Sequence, residues 1–496
     1  MLWNNIQIGM KSIYFSLLLS IVSSVGFAQD PIRNYDFKFK ISGLSDTTDS
    51  AVFLANYYGG KQYYYDTGMV DNGIVHFKGD SIKGGIYSII TWDKKAYFEF
   101  VVNEPVIEME TNPSNFINTM KVKTSEENKK FYEYLRFINT KSTNAQALKK
   151  RIENAKESEK ENLTAALKEI DGEVIGYKKT LIAENPDLLI SKVFNATAEP
   201  EVPDYSEIED TDERNKKRYL EFKRHYLDGM DFSDERLLRT PIFNNKLTYY
   251  ITKLTPQIAD SVIAAADMLV GMAKGNKEPH KFIVHTITSK FEDSKVMGMD
   301  AVLVHMGQTY YCPDQAWWLS KEKLDKFCER VDAMAPLMIG KQAPNLMLQD
   351  TAGNWKNMAD IKAKYTVLYF WDSGCGHCKK VTPKLKEFYA KYKEMGIEVY
   401  AVGTEFENEE WIKYIKKNDL QWINVSDTPE SNKNAHELIA QGKTSLTSMN
   451  FRDTYDIFST PKAFLLDENK KIVAAKLMPE QLGDFIDNQL KEDAKK

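Results

Sequence analysis

Hydrophobic and polar positions change their period twice along this chain, and each change marks a different kind of element. From residue 30 to residue 112 the apolar positions fall in short runs: "DFKFKISG", "AVFLANYY", "KQYYYDTG", "GIVHFKG", "GIYSIITW", "AYFEFVV" and "VIEMET". They are rich in aromatic and β-branched residues and are parted by turn formers, which reads as strands. Asn72-Gly73 between two such runs predicts a type I′ hairpin turn. The regular spacing points to a small antiparallel sandwich or an open barrel. Tyr57, Tyr58, Tyr63, Tyr64 and Tyr65 cluster here. They cover half-buried strands or form a stacking face for a ligand, and strand covering is the simpler reading.

From residue 113 to about 335 the period lengthens to that of helices. Leu148, Ile152 and Ala155, then Leu163, Leu167, Ile170, Val174, Tyr177 and Leu181, recur at steps of three and four with a charged gap at Glu159. This predicts one or two long amphipathic helices, stopped at Asn185-Pro186. Residues 198–213 are acidic and contain prolines, which reads as a solvated loop. Further helical runs follow, carrying His280, His285 and His305 with no metal-ligand spacing.

After "PLMIGKQAPNLMLQD" (336–350) the pattern becomes α/β. "KYTVLYFW" reads as a buried strand. "LKEFYAKY" sets Leu385, Phe388, Tyr389 and Tyr392 on one helical face. "IEVYAV" is a second strand, "NEEWIKYIKKN" a helix, "STPKAFLLDENKKIVAAK" a hairpin and "PEQLGDFIDNQL" a closing helix. The expected division is therefore a leader at 1–28, a β-sandwich at 29–112, a mostly helical domain at 113–335 and an α/β domain at 336–496.

The leader is expected from "MKSIYFSLLLSIVSSVGFAQD", which begins at Met10, the better initiator. It has a basic start, a short apolar run and small residues, Gly26 and Ala28, at the cleavage site. This implies export to the periplasm. The alternative is a retained anchor, but the run is short for spanning, which takes about 20 residues. Since the first cysteine is Cys312, a lipid anchor at the cleavage site is not expected. The net charge of −5 and the absence of a dense Lys/Arg block argue against nucleic acid as a partner.

Chemistry concentrates in "FWDSGCGHCKKVTP" (370–383). Of four cysteines in 496 residues, Cys375 and Cys378 sit two residues apart after a strand and at a helix start. The unpaired N–H groups there favour a Cys375 thiolate, the nucleophilic form. Cys378, a turn further in, is placed to resolve a mixed disulfide. Gly376 and His377 lie between them, and His377 can add charge or a hydrogen bond. A zinc site needs four ligands, and the other two cysteines are 16 apart in the helical region. A structural staple across so small a loop would constrain the unfolded chain little. The pair therefore serves as a redox-active disulfide, with no metal and no other cofactor expected. Cys312 and Cys328 either pair, if the intervening loop folds back, or remain buried free thiols.

In order and spacing, "IGKQAPNLMLQD", "VLYFWDSGCGHCKK", Pro383 and "TPKAFLLDENKKI" resemble the TlpA/ResA-like thioredoxin family of bacterial envelope thiol–disulfide oxidoreductases. The resemblance covers residues 339–490. It implies a thioredoxin fold, Cys375 as nucleophile and Cys378 as resolving thiol. It also implies a cis Thr460-Pro461 that presents backbone to the substrate, with Trp371 nearby in contact with it. Envelope proteins with disulfides are the implied clients, and a membrane protein the implied electron donor or acceptor. Residues 30–335 look, more weakly, like domains of unknown function fused to such modules. Three positions depart from relatives. Tyr369 stands in place of a buried aspartate, Gly374 in place of a tryptophan and Val381 in place of a glutamate. The proton acceptor for Cys378 is left open among Asp372, Glu405 and His377. "CGHC" resembles protein disulfide isomerases, which leans towards an oxidant or isomerase, whereas the family implies a reductant. A docking platform with a binding or chaperone-like role, and peroxide reduction, are the alternatives. Peroxide reduction would use a single cysteine in a Pro/Thr-rich loop, a pattern "SGCGHC" lacks.

Overall fold

A computed structural model describes residues 31–42, 51–92, 97–475, 477 and 479–493. The expected leader lies outside the described residues. Among those residues, no helix is long and apolar enough to cross a membrane.

The first eight strands are β1 Ile32–Ile41, β2 Ala51–Tyr58, β3 Lys61–Asp71, β4 Ile74–Ile82, β5 Gly85–Thr91, β6 Tyr97–Val102, β7 Val106–Thr111 and β8 Lys121–Thr124. They hydrogen-bond in the order β6-β5-β2-β3-β4-β1-β7-β8. β3 pairs with β2 along most of its length but with β4 only through Val70 and Asp71. The sheet therefore folds over at β3. Phe39 of β1 meets Phe98 and Phe100 of β6 at 5.7 and 4.8 Å between ring centroids, across the two layers. The turn at Asn72-Gly73 has φ of 50° and 73°, the type I′ signature. Two features depart from the sequence reading. β1 and β7 are parallel, so the sandwich is not wholly antiparallel, and β8 lies beyond residue 112.

The helical repeat forms two long helices, Glu126–Asn154 and Glu157–Glu184, broken at Ala155-Lys156 and ended by Asn185. The first is fastened to the sandwich by buried polar bonds. Asn128 Oδ1 accepts from Val101 N–H at 2.8 Å, while its Nδ2 donates to Val101 O at 2.7 Å. The Tyr132 hydroxyl donates to Glu99 O at 2.8 Å. One continuous apolar core runs from Tyr35 in β1 through Phe131, Phe194 and Leu247 to Tyr311.

The remaining strands are β9 Met347–Asp350, β10 Trp355–Asn357, β11 Tyr365–Trp371, β12 Ile397–Gly403, β13 Ile423–Ser426, β14 Lys462–Asp467 and β15 Ile472–Ala475. Their order is β10-β9-β13-β12-β11-β14-β15. β11, β12 and β13 are parallel, whereas β14 runs antiparallel to β11. All seven residues of β11 are buried, as a central strand covered on both faces requires. Two apolar clusters form around this sheet, one on each face. The fold is a sandwich, a helical middle and a C-terminal thioredoxin-like sheet with helices.

Candidate active site

β11 delivers the chain to the dithiol. Beyond Trp371 the backbone turns, and the Asp372 carboxylate pins that turn by accepting from Gly374 N–H at 2.6 Å and Cys375 N–H at 3.0 Å. Cys375 is then the N-cap of the helix Gly376–Tyr392, and its sulfur accepts from Cys378 N–H at 3.3 Å. Both cysteines are free thiols; Cys375 is partly exposed and Cys378 buried. Thr460-Pro461 is cis, and Thr460 O lies 3.4 Å from Cys375 Sγ. A strand end and a distant loop are thus brought to one sulfur.

The two thiols are driven apart electrostatically. Burial pushes Cys375 up, but hydrogen bonds from the Cys378 thiol and backbone N–H outweigh it. Thr460 and the His377 backbone lower it further, so the net shift is downward. Cys378 is pushed up to about 12, first by burial and then by its hydrogen bond to Cys375. An accessible sulfur that ionises more readily than usual is thus backed by a buried, protonated thiol, the division of labour that dithiol exchange requires.

Trp371, expected beside the substrate, presents no surface to solvent. It is fully buried, packed against Tyr414 and Trp411 at 5.4 and 6.5 Å between ring centroids. The last residue of a strand buried on both faces still points inward. The His377 side chain is exposed, and what reaches the Cys375 sulfur from this residue is its backbone. Gly376 opens the helix, with no atom within 4 Å of where a Cβ would stand.

Of the three open candidates for proton acceptor, His377 is exposed and Asp372 is held by the backbone N–H groups of the turn. Glu405 Oε1 accepts from Ser373 N–H at 2.5 Å. Burial raises the Glu405 carboxyl, partly offset by the Ser373 bonds, and its Oε2 is buried without a partner. Tyr369 lies beneath the dithiol, its hydroxyl 3.5 Å from Thr382 Oγ1. Burial raises its pKa strongly, and both cysteines add to the shift.

Cys312 and Cys328 form a disulfide, with Cα atoms 5.6 Å apart. A π-helical turn, Gly307–Tyr311, leads into Cys312, and the loop folds back onto the helix Lys321–Met334. Of the tyrosine cluster, Tyr63, Tyr64 and Tyr65 are exposed. Tyr57 and Tyr58 donate to Glu99 at 2.7 Å and Glu278 at 3.1 Å. Among the described residues no group of His, Cys, Asp or Glu is arranged to hold a metal ion.

A thioredoxin-like fold with such a dithiol defines the class of thiol–disulfide oxidoreductases. Comparison with known proteins agrees. Residues 339–475 match the AhpC/TSA family, and residues 144–335 match a domain of unknown function, DUF5106. "Thiol-disulfide oxidoreductase ResA" of Bacillus cereus is 30% identical over 157 residues, covering 32% of this chain and 79% of that protein. Its namesake in Bacillus subtilis is 28% identical, covering 27% and 64%. A solved structure from Cytophaga hutchinsonii, "a domain of possible thiol-disulfide isomerase", is 40% identical. It covers 33% of this chain and 99% of that one, with a TM-score of 0.27. Through its C-terminal module, this chain belongs to the ResA-like thiol–disulfide oxidoreductase family.

Proposed function

We propose that the protein exchanges disulfides with envelope proteins in the periplasm through Cys375 and Cys378. The observation that carries this reading is the pair's split character. The accessible Cys375 sulfur has a lowered pKa and sits 3.4 Å from Thr460 O, while the buried Cys378 is held protonated. The Cys375 thiolate attacks one sulfur of a client disulfide. That S–S bond breaks, a Cys375–client bond forms, and the departing client sulfur takes a proton. Cys378 then gives up its proton and attacks Cys375 Sγ. The second client thiol leaves, and a Cys375–Cys378 disulfide remains. The client gains two electrons and two protons, and the dithiol loses them. Run in reverse, the same steps oxidise a client dithiol. The exported location rests on the leader-like run from Met10 to Ala28. A membrane thiol–disulfide partner would return the pair to its starting state. Thr460 and Pro461 align the client backbone beside Cys375.

The test is trapping. In a Cys378→Ala variant expressed in the periplasm, mixed disulfides through Cys375 accumulate and disappear on adding reductant. Absence of adducts, together with no exchange between wild type and glutathione, would sink the reading. The reduction potential then gives direction. A value near about −270 mV marks a reductant, whereas one near about −180 mV or higher marks an oxidant or isomerase.

A further inference from the structure

A cavity of about 460 Å³ opens beside the dithiol helix. Its floor is apolar, formed by Tyr369, Val381, Leu385 and Leu482, and its mouth is formed by Phe458, Ser459 and Pro461. Val381 and Leu385 lie one and two turns beyond Cys378 on the same helix face, and Tyr369 lies under the dithiol. The mouth belongs to the same loop that presents Thr460 O to Cys375. Phe458 is 79% exposed there, an unusual position for a phenylalanine unless something covers it.

One residue at this mouth comes from outside the thioredoxin-like module. Lys295 belongs to the segment that follows the helix Lys277–Glu292, in the helical region. Asp456 and Lys462 also line the cavity, but they neutralise each other at 3.4 Å. Lys295 is exposed and has no hydrogen-bond or ion-pair partner among the described residues. Among the described residues that line it, the mouth therefore carries one positive charge without an acidic partner, over an apolar floor.

We propose that this composite pocket receives a client polypeptide in which an apolar side chain close to the reacting disulfide is followed by a carboxylate, the apolar group entering the cavity and Lys295 pairing with the acid. This rests on the disulfide-exchange reading above and adds to it a client class. The physical argument is continuity. A client sulfur on Cys375 places its neighbouring residues along the Phe458–Pro461 loop, within reach of the cavity. There the apolar floor favours a hydrophobic side chain, and the lone cation selects the sign of the charge beside it. Client choice is thereby divided between two regions of the chain. The thioredoxin module supplies the sulfur chemistry, and the helical region supplies the charge.

The test uses the reduced full-length protein and three disulfides: neutral hydroxyethyl disulfide and two synthetic peptides closed by one disulfide each. One peptide carries Leu-Asp beside its cysteine, the other Leu-Lys. Single-turnover rates are divided by the hydroxyethyl disulfide rate of the same variant. In wild type the acidic peptide reacts roughly two- to fivefold faster at low salt, and the preference shrinks as salt rises. Lys295→Glu reverses the order, and Phe458→Ala slows both peptides. Equal rates for the two peptides in wild type, or a preference that survives Lys295→Glu, overturn the proposal while leaving disulfide exchange intact. Failure of wild type to react even with hydroxyethyl disulfide overturns both readings together.

Discussion

At the scale of single residues, the chemistry depends on a difference between two identical side chains. Cys375 and Cys378 share a helix end, yet one sulfur accepts hydrogen bonds at the surface and the other is buried, donating to the first. The sign of each shift fixes a pH experiment. A lowered pKa keeps Cys375 reactive below the usual cysteine range, whereas a thiol at about 12 stays protonated through neutral pH. Iodoacetamide should therefore alkylate the reduced protein once per chain at pH 7, at Cys375, with a midpoint below the usual value of about 8.5. Cys378 should react only in strong alkali or after unfolding. Peptide mapping by mass spectrometry checks the site, and equal labelling of both cysteines at pH 7 would contradict the assignment. Most of this site is legible in the sequence. A cysteine pair after a buried strand, plus the Thr-Pro that the family resemblance places opposite it, identifies residues that meet at 3.4 Å. The inward turn of Trp371 is not legible, because a seven-residue run with Thr366 as its one polar member carries no alternation to say which side faces out.

At the scale of elements, local patterns predict well and pairing partners predict poorly. Asn72-Gly73 announces its hairpin because both residues accept positive φ. The parallel contact of β1 with β7 has no comparable local cause, since it joins Asp36 to Val106 across five intervening strands. The break at Ala155-Lys156 is visible beforehand only as the charged gap before Leu163. The Cys312–Cys328 disulfide depends likewise on how a loop folds back, which spacing leaves open. It closes a sequence separation of 16 between the π-helical turn and the helix Lys321–Met334. A loop of this size is worth about 3 kcal/mol of chain entropy. The double variant Cys312→Ala, Cys328→Ala should lose about 2–4 kcal/mol in denaturant unfolding of the helical region. It should keep its absolute single-turnover rate with hydroxyethyl disulfide, because neither residue touches the dithiol. A fall in that rate with stability unchanged would show that this second pair exchanges electrons with the first.

At the scale of the whole molecule, the boundary expected near residue 112 is crossed by packing. The sandwich and the helical region share one apolar core, whereas the thioredoxin-like sheet has its own clusters on its two faces. Sequence periods cannot reveal this, because a core-facing position looks the same whatever lies opposite. Shared burial has a thermodynamic consequence: elements that exclude water from one another unfold together. Phe100 of β6 tests it, being fully buried and in ring contact with Phe37, Phe39 and Tyr87. Phe100→Ala should cost about 3–5 kcal/mol. The loss should lower one calorimetric transition that carries both the sandwich and most of the helical signal in far-ultraviolet circular dichroism. The transition of the thioredoxin-like module should stay in place, and Cys375 should keep its alkylation midpoint. If the helical signal instead melts at its wild-type temperature while only the sandwich is lost, the two regions are energetically separate despite their contact. If all transitions fall together, the thioredoxin-like module belongs to the same cooperative unit, and changes far out in the sandwich should then reach the client pocket.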